Sequence, residues 1–455
     1  MKLSTSAILG AAALFVPATV ILAAELCVNP SDAECHTSIQ AAVDAAEPGD
    51  TILISPHPDS KGYRENVLIN TANLTLRGDA DAPQGNALER SCPDVYLDGC
   101  ETPDDPEGCG SNMIEVTAGD TSIERILLRH GRIVFSPGAE GSSLRESCVI
   151  TTVNSAVQTS DDVDGLVLEH LQFHGTTGRP ISILGNQTTF SHNLLFGTQN
   201  DARFRGDDLL IANNSFRACD DKCLDARGEN VEVVHNLLIG GEVGIDVRGN
   251  NPTVSHNIVE QMNDEGIRVS CVEDCTGGTI SNNRVIAGMD GDLLLARNRV
   301  NNFVIEDNYL ALTAANGLRI SGDNSTVRRN TIHNAAICMR IGGDDNLIEE
   351  NEINLCNEFG IDVQLAERIE IIDNILNDTG EAGIKVRDNS IDHTIEGNQV
   401  SNGHGEGIVI QAEGTEVNNN VVSNHRVDLC ADVTVASSSG NSFDTGGFDT
   451  PCLIN

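Results

Sequence analysis

A short charged strand recurs along this chain, and its recurrence restricts the chain to one kind of architecture. The sequence reads LDARG from Leu224 and IDVRG from Ile245, with the apolar and charged alternation of a strand that has one buried face. These copies stand 21 residues apart. Relatives of the same strand follow as ARFRG at Ala202, GIRVS at Gly266, GLRIS at Gly317, CMRIG at Cys338, GIDVQ at Gly360, GIKVR at Gly383 and GIVIQ at Gly407. Repetition at this interval marks a solenoid, in which each repeat is too small to bury its own apolar face and therefore stacks on the next. Length grows by adding coils, so 455 residues predict one elongated domain rather than several.

An asparagine returns between these strands, at Asn193, Asn214, Asn236, Asn257, Asn283, Asn308, Asn330, Asn351, Asn374, Asn398, Asn420 and Asn441, with spacings of 21 to 26. Leu127, Cys148 and Leu171 hold the equivalent place earlier in the chain. Such a series predicts an internal ladder, each amide bonding the turn backbone and the amides above and below it. Each coil then reads as three strands, for example PTVSH before Asn257, IVEQ after it and GIRVS at the next corner.

Residues 1–24 carry a lone Lys2 and an apolar run ending in small residues, which reads as a cleaved secretory signal; the run is short for a membrane anchor. Residues 25–56 hold a helix, SIQAAVDAA, capped by Thr37 or Ser38 and stopped at Pro48-Gly49-Asp50, and then the strand TILIS. A helix here plugs the open apolar end of a stack. Residues 79–112 lack periodicity and read as a cysteine-bearing loop beside a β-helix spanning 57–440, and 441–455 as a C-terminal closure.

The opening S-I-Q-A-A-V-D-A-A, G-D-T-I-L-I, Y-R-E-N-V and L-T-L-R-G resembles that of the right-handed parallel β-helix superfamily, which includes pectate lyases, pectin methylesterases and polygalacturonases. The resemblance implies an all-β fold: a right-handed parallel β-helix of about fifteen coils and three parallel sheets with an N-terminal capping helix. It also implies carbohydrate as the class of ligand.

Fourteen cysteines in an exported chain predict seven disulfides. Spacing suggests Cys27/Cys35, Cys219/Cys223, Cys271/Cys275, Cys338/Cys356 and Cys430/Cys452, while Cys92, Cys100, Cys109 and Cys148 admit three connectivities. The two C-x3-C pairs lack a partner pair at metal-site spacing, so no metal site is assigned. Five Met and twelve His are scattered in sequence, which speaks against a metal-carrying solenoid. A formal charge of −40 excludes nucleic acid and anionic membranes as general partners. No cofactor is required by this reading, although so acidic a surface is compatible with bound Ca2+, and a monomer is expected.

Basic charge gathers against that background. Eleven coils contribute two outward corner residues each: Ser182/Leu184, Arg203/Arg205, Asp225/Arg227, Asp246/Arg248, Arg268/Ser270, Leu294/Ala296, Arg319/Ser321, Arg340/Gly342, Asp362/Gln364, Lys385/Arg387 and Val409/Gln411. Nine of the 22 are basic, where the 28 basic residues of the whole chain, spread evenly, would place about one or two. The stripe reads either as lattice charge pairing with Asp225, Asp246 and Asp362 across strands, or as a groove whose guanidinium forks meet carboxylates of an extended anionic polysaccharide. With no Trp and three Tyr, stacking platforms for neutral sugars are few.

Polygalacturonases carry acids just before strands of this sheet, and the resemblance places Asp201, Asp220, Asp221 and Glu242 as candidate catalytic carboxylates, with hydrolysis as the chemistry. The match is partial: Asn200-Asp201 lacks the family's central Thr, Glu242 stands where the family has His, and no Lys follows Arg268. Glu265, Glu358, Glu381 and Glu406 also precede corner strands, so an acid there reads as a habit of the turn. Lyase chemistry on a polyuronide would draw instead on Arg248, Arg268 and Asp225 or Asp246. A non-catalytic surface scaffold or adhesin is the reading from a different class.

Overall fold

Alternation of one buried and one outward residue along each short strand leaves no choice but to stack coil on coil, and the computed structural model shows the result. It describes residues 23–58, 62–79, 92–99, 112–150, 155–271, 275–288, 290–297, 300–444 and 448–449. The expected signal segment, Cys100, Cys109, Cys452 and most of the expected loop and closure lie outside the described residues.

From Thr75–Gly78 onward each coil contributes one strand to each of three parallel sheets. The leading sheet has 18 strands and the ladder sheet 16; the third, the corner sheet, runs from Val67–Ile69 to Phe448–Asp449. One coil shows the pattern: Thr253–Ser255 leads, Ile258–Met262 follows Asn257, and Ile267–Ser270 forms the corner. Inward Val254, Val259, Ile267 and Val269 are almost completely buried and join one core that runs the length of the stack.

The ladder is continuous from Asn193 to Asn441. Asn330 Nδ2 donates to Asn351 Oδ1 at 3.1 Å and to the Ile305 carbonyl at 2.8 Å, while its Oδ1 accepts from the Asn308 backbone N–H at 3.1 Å. The residue before each rung has a left-handed backbone, for example His256 (φ 57°), Asn282 (φ 56°) and Asp307 (φ 57°). That conformation directs the following amide inward and explains the abundance of Asn, Asp and His there, the non-glycine residues that tolerate it best.

At the N-terminus Ser38 Oγ caps the helix Ile39–Ala45 by accepting from Ala41 N–H at 3.2 Å, and Ile39, Ala42 and Val43 are buried. The Glu65 carboxylate accepts the next free donors, Ile39 N–H at 2.8 Å and Gln40 N–H at 2.9 Å. The fold begins one strand earlier than the sequence suggests, because Glu25–Val28 pairs in parallel with Thr51–Ile54. Disulfides join Cys27–Cys35, Cys219–Cys223, Cys271–Cys275 and Cys338–Cys356 as spacing predicts, and Cys92 pairs with Cys148. Cys430 is also disulfide-bonded.

One corner strand differs in register from the sequence reading. Leu294 and Ala296 were expected to face outward, yet both are fully buried, and Arg268 pairs in register with Leu295 and Ser270 with Arg297. A slip of one residue inverts every side chain of a strand. The long coil between Asn283 and Asn308 absorbs the shift, and Arg297, rather than Ala296, joins the outward face.

Candidate functional site

The outward face of the corner sheet is a column of charge whose centre is buried. Parallel register aligns Arg203, Asp225, Asp246, Arg268, Leu295, Arg319, Arg340, Asp362 and Lys385 on successive coils, about 4.8 Å apart. Three aspartates in this column are almost completely covered by cations. Asp246 is met by Lys222 Nζ at 2.7 Å, Arg268 Nη2 at 2.8 Å and Arg248 Nη2 at 2.9 Å. Burial alone would raise its pKa, but the bonds from Arg268, Arg248 and Lys222 outweigh burial and hold it well below the usual carboxylate range. Asp225 is lowered in the same way, burial being outweighed by Arg205 Nη2 at 2.7 Å with Arg227 beside it. Asp362 is held by Arg387 at 2.6 Å and Arg340 at 3.4 Å.

Much of the basic stripe is therefore lattice charge. Arg205, Arg227, Arg248, Arg268, Arg340 and Arg387 all pair with buried aspartates, and Arg203 and Arg179 pair with Asp201, at 3.1 and 2.9 Å. Arg268 and Arg340, with no acid in their own outward pair, draw one from the neighbouring coil. A distinct group remains: among the described residues, no carboxylate lies within ion-pair distance of Arg297, Arg319 or Lys385. The first two are exposed, and Lys385 Nζ sits 4.8 Å from the centre of the Phe359 ring.

The candidate carboxylates fall into two environments. Asp201 is buried and neutralised by its two arginines. Asp220 and Glu242 are exposed and Asp221 half-buried, all in the turns that lead into corner strands. The structure places Asp220 and Asp221 on the coil after Asp201, with Asp220 N–H bonded to the Thr198 carbonyl and Glu242 N–H to the Asp221 carbonyl.

Sequence reasoning missed a second column at the start of the corner strands. Backbone bonds and register stack Val243, Glu265, Asp292, Asn316, Ile337, Phe359, Ala382 and Glu406. Glu265, Asp292 and Asn316 are 7, 8 and 8% exposed. Asp292 Oδ1 accepts from Asn316 Nδ2 at 2.5 Å and from its backbone N–H at 3.3 Å. Glu265 Oε2 lies 3.2 Å from Arg268 Nη1, and its pKa is raised, first by burial and then by its hydrogen bond with Asp264, against the pull of Arg268 and Arg297. The available signal was coil length: Asn257 to Asn283 and Asn283 to Asn308 are the two longest intervals of the ladder, 26 and 25 residues.

Histidines are less scattered than they look in sequence. His170 stacks on His192 and His235 lies over His256, with ring centres 5.1 and 4.8 Å apart, at the left-handed positions preceding consecutive rungs. Among the described residues no group of three or more His, Cys, Asp or Glu is placed to hold a metal ion.

Residues 297–446 match the family described as right handed beta helix region. The chain is a right-handed parallel β-helix. Residues 181–357 of this β-helix also match the family described as periplasmic copper-binding protein (NosD). No curated protein matches the sequence. Among solved structures the β-helix is similar to the A-module of the Azotobacter vinelandii mannuronan C-5 epimerase AlgE6, at 14% identity and TM-score 0.32, covering 89% of this chain and 94% of that one. It is similar to the periplasmic alginate epimerase AlgG at 11% identity and TM-score 0.32, covering 92% and 84%. It is likewise similar to the alginate lyase AlyF-OU02 at 14% identity and TM-score 0.34, covering 90% and 88%. At such identities and superpositions these likenesses carry no argument about activity.

Proposed function

We propose that the outward face of the corner sheet is a groove for an acidic, uronate-containing polysaccharide, and that the protein works outside the cytoplasm. One observation carries this reading: Arg297, Arg319 and Lys385 have no carboxylate partner among the described residues of a chain whose net charge is −40. Where acids outnumber bases so heavily, a cation kept apart from them is available to an external anion. Arg340 and Asp362 occupy the two coils between Arg319 and Lys385. The free charges are thus spread along the stack like the carboxylates of an extended polymer rather than clustered as for a small anion. Arg203, Arg205, Arg227, Arg248, Arg268, Arg340 and Arg387 offset the negative charge of the buried aspartates and give the face its rigidity. Export is supported by the apolar N-terminal run, the disulfides and the description of the NosD family as periplasmic.

The test is a glycan array with polyuronates and neutral polymers, followed by Arg297→Gln, Arg319→Gln and Lys385→Gln together. Polyuronates should be preferred, binding should weaken as salt rises, and the triple variant should lose on the order of tenfold in affinity, as three screened surface contacts imply. Equal binding of neutral polymers, or an unchanged triple variant, would point to the scaffold reading instead.

A further inference from the structure

We propose, building on the groove just described, that Glu265 is the general acid of a glycosidic-bond hydrolysis at the middle of the corner sheet, with Asp292, one coil on, activating the water. The reasoning begins with the cost of burying polar groups in a row. Along the second column, Val243, Ile337, Phe359 and Ala382 are apolar, as residues pressed against their neighbours should be. Between them Glu265, Asp292 and Asn316 break the apolar run on three successive coils. Stacking alone would be served better by more valines, because a buried carboxyl costs free energy unless fully paired.

Pairing here is incomplete. The column aspartates Asp225, Asp246 and Asp362 each have two or more cations. Asp292 has none among the described residues, where its side chain is bonded to Asn316. Glu265 has one, Arg268, whose other contact is Asp246. Arg268 is 9% exposed, yet its Nε finds no hydrogen-bond partner among the described residues, so there a buried donor beside Glu265 stands unused. An unused donor, an under-neutralised carboxylate and a carboxyl beside Asp264 stand on neighbouring coils. That combination belongs to a site completed by a ligand rather than to a lattice.

The two carboxyls lie in the two longest coils, whose corner strands are followed by an added pairing of Cys275–Thr276 with Val300–Asn301 beside the Cys271–Cys275 disulfide. Arg297 and Arg319, the exposed cations without a carboxylate partner among the described residues, lie on the same coil as Asp292 and on the next.

Chemically the step closes. Glu265 gives its proton to the glycosidic oxygen as the C1–O bond breaks and its electron pair stays on that oxygen. The oxygen of a water bonds to C1 while Asp292 accepts the proton it releases. Solvent returns a proton to Glu265 and takes one from Asp292, so one water is consumed and two chain ends appear. Burial and the Asp264 bond raise the Glu265 pKa, the direction a general acid requires. Arg297 and Arg319 hold the substrate carboxylates.

The full-length protein is assayed on a panel of polyuronates for new reducing ends and for absorbance of unsaturated products, with binding measured on the same samples. Wild type should release reducing ends without unsaturated product. Glu265→Gln should be at least a hundredfold slower on polymer yet within tenfold of wild type on an aryl uronide whose leaving group needs no proton. Asp292→Asn should be slow on both. The split between polymer and aryl substrate is the readout that a merely structural role would not produce, and circular dichroism confirms that each variant is folded. Equal loss of both activities in Glu265→Gln, unsaturated products, or a wild type that binds polyuronates but cleaves none of them would overturn the catalytic assignment and leave the groove standing. Absence of both binding and cleavage would remove the groove as well.

Discussion

Replacing Asn330 by alanine tests the internal ladder, and its cost can be worked from the bonds involved. Asn330 is fully buried. Its Oδ1 accepts from Asn308 N–H at 3.1 Å and Asn308 Nδ2 at 2.9 Å, and its Nδ2 donates to Asn351 Oδ1, the Ile305 carbonyl and the Arg328 carbonyl. The losses are unequal. Asn308 Nδ2 keeps the Ile280 carbonyl, and Asn351 Oδ1 keeps the Asn330 backbone N–H. Asn308 N–H loses its side-chain acceptor, and the Ile305 carbonyl loses the amide that reached it from the next coil. The Ile305 carbonyl keeps the Arg328 N–H of the parallel ladder; leaving a buried group unsatisfied costs about 1–3 kcal/mol, so one such group and a small cavity together predict about 2–4 kcal/mol. A solenoid need not unfold in one step, so the measurement is native-state hydrogen exchange. Protection should fall most in the coils holding Asn308, Asn330 and Asn351. Asn441, partly open to water at the far end, should cost less when replaced by alanine. A change below about 1 kcal/mol in the Asn330 variant, or one spread evenly over all coils, refutes the ladder as a stabilising device.

Other consequences follow from buried charge and covalent ties. His393 is 1% exposed, accepts the Ile369 N–H on Nδ1 at 3.1 Å and leaves Nε2 without a partner; burial lowers its pKa to about 4. A depressed folded pKa gives stability that is present above the unfolded value of about 6.5 and lost as pH falls toward about 4, at most about 3 kcal/mol; His393→Asn should flatten urea titrations across that window. Asp246→Asn leaves Lys222, Arg248 and Arg268 crowded without their counter-charge, and removing one partner of a buried network costs about 3–5 kcal/mol; the melting temperature should drop, and an unchanged value would show the network to be solvated. Removing the Cys338–Cys356 bridge by a double serine variant should cost about 2–4 kcal/mol, with exchange rising in the two coils it joins.

The periodic parts of this protein were legible in its sequence because each coil repeats the same local problem. A two-residue alternation, a recurrent asparagine and a left-handed residue before it specify strand, rung and turn within about two dozen residues. The cap helix, four cysteine pairings suggested by spacing and the gathering of basic residues at the corner could be read in the same way, since all are local in sequence or repeat at the coil interval. The sequence could not say which arginines were free. Arg268 and Arg340 looked unpaired within their own strands, and only stacking brought Asp246 against the first from the preceding coil and Asp362 against the second from the following one. Arg297 was hidden by a one-residue slip in a long coil, where the repeat no longer counts the register. Glu265 looked like one more acid in a turn until neighbouring coils buried it beside Asp292 and Arg268. Many of a charge's neighbours in a solenoid lie twenty or more residues away, and burial, which decides whether that charge is lattice or site, is a property of the stack.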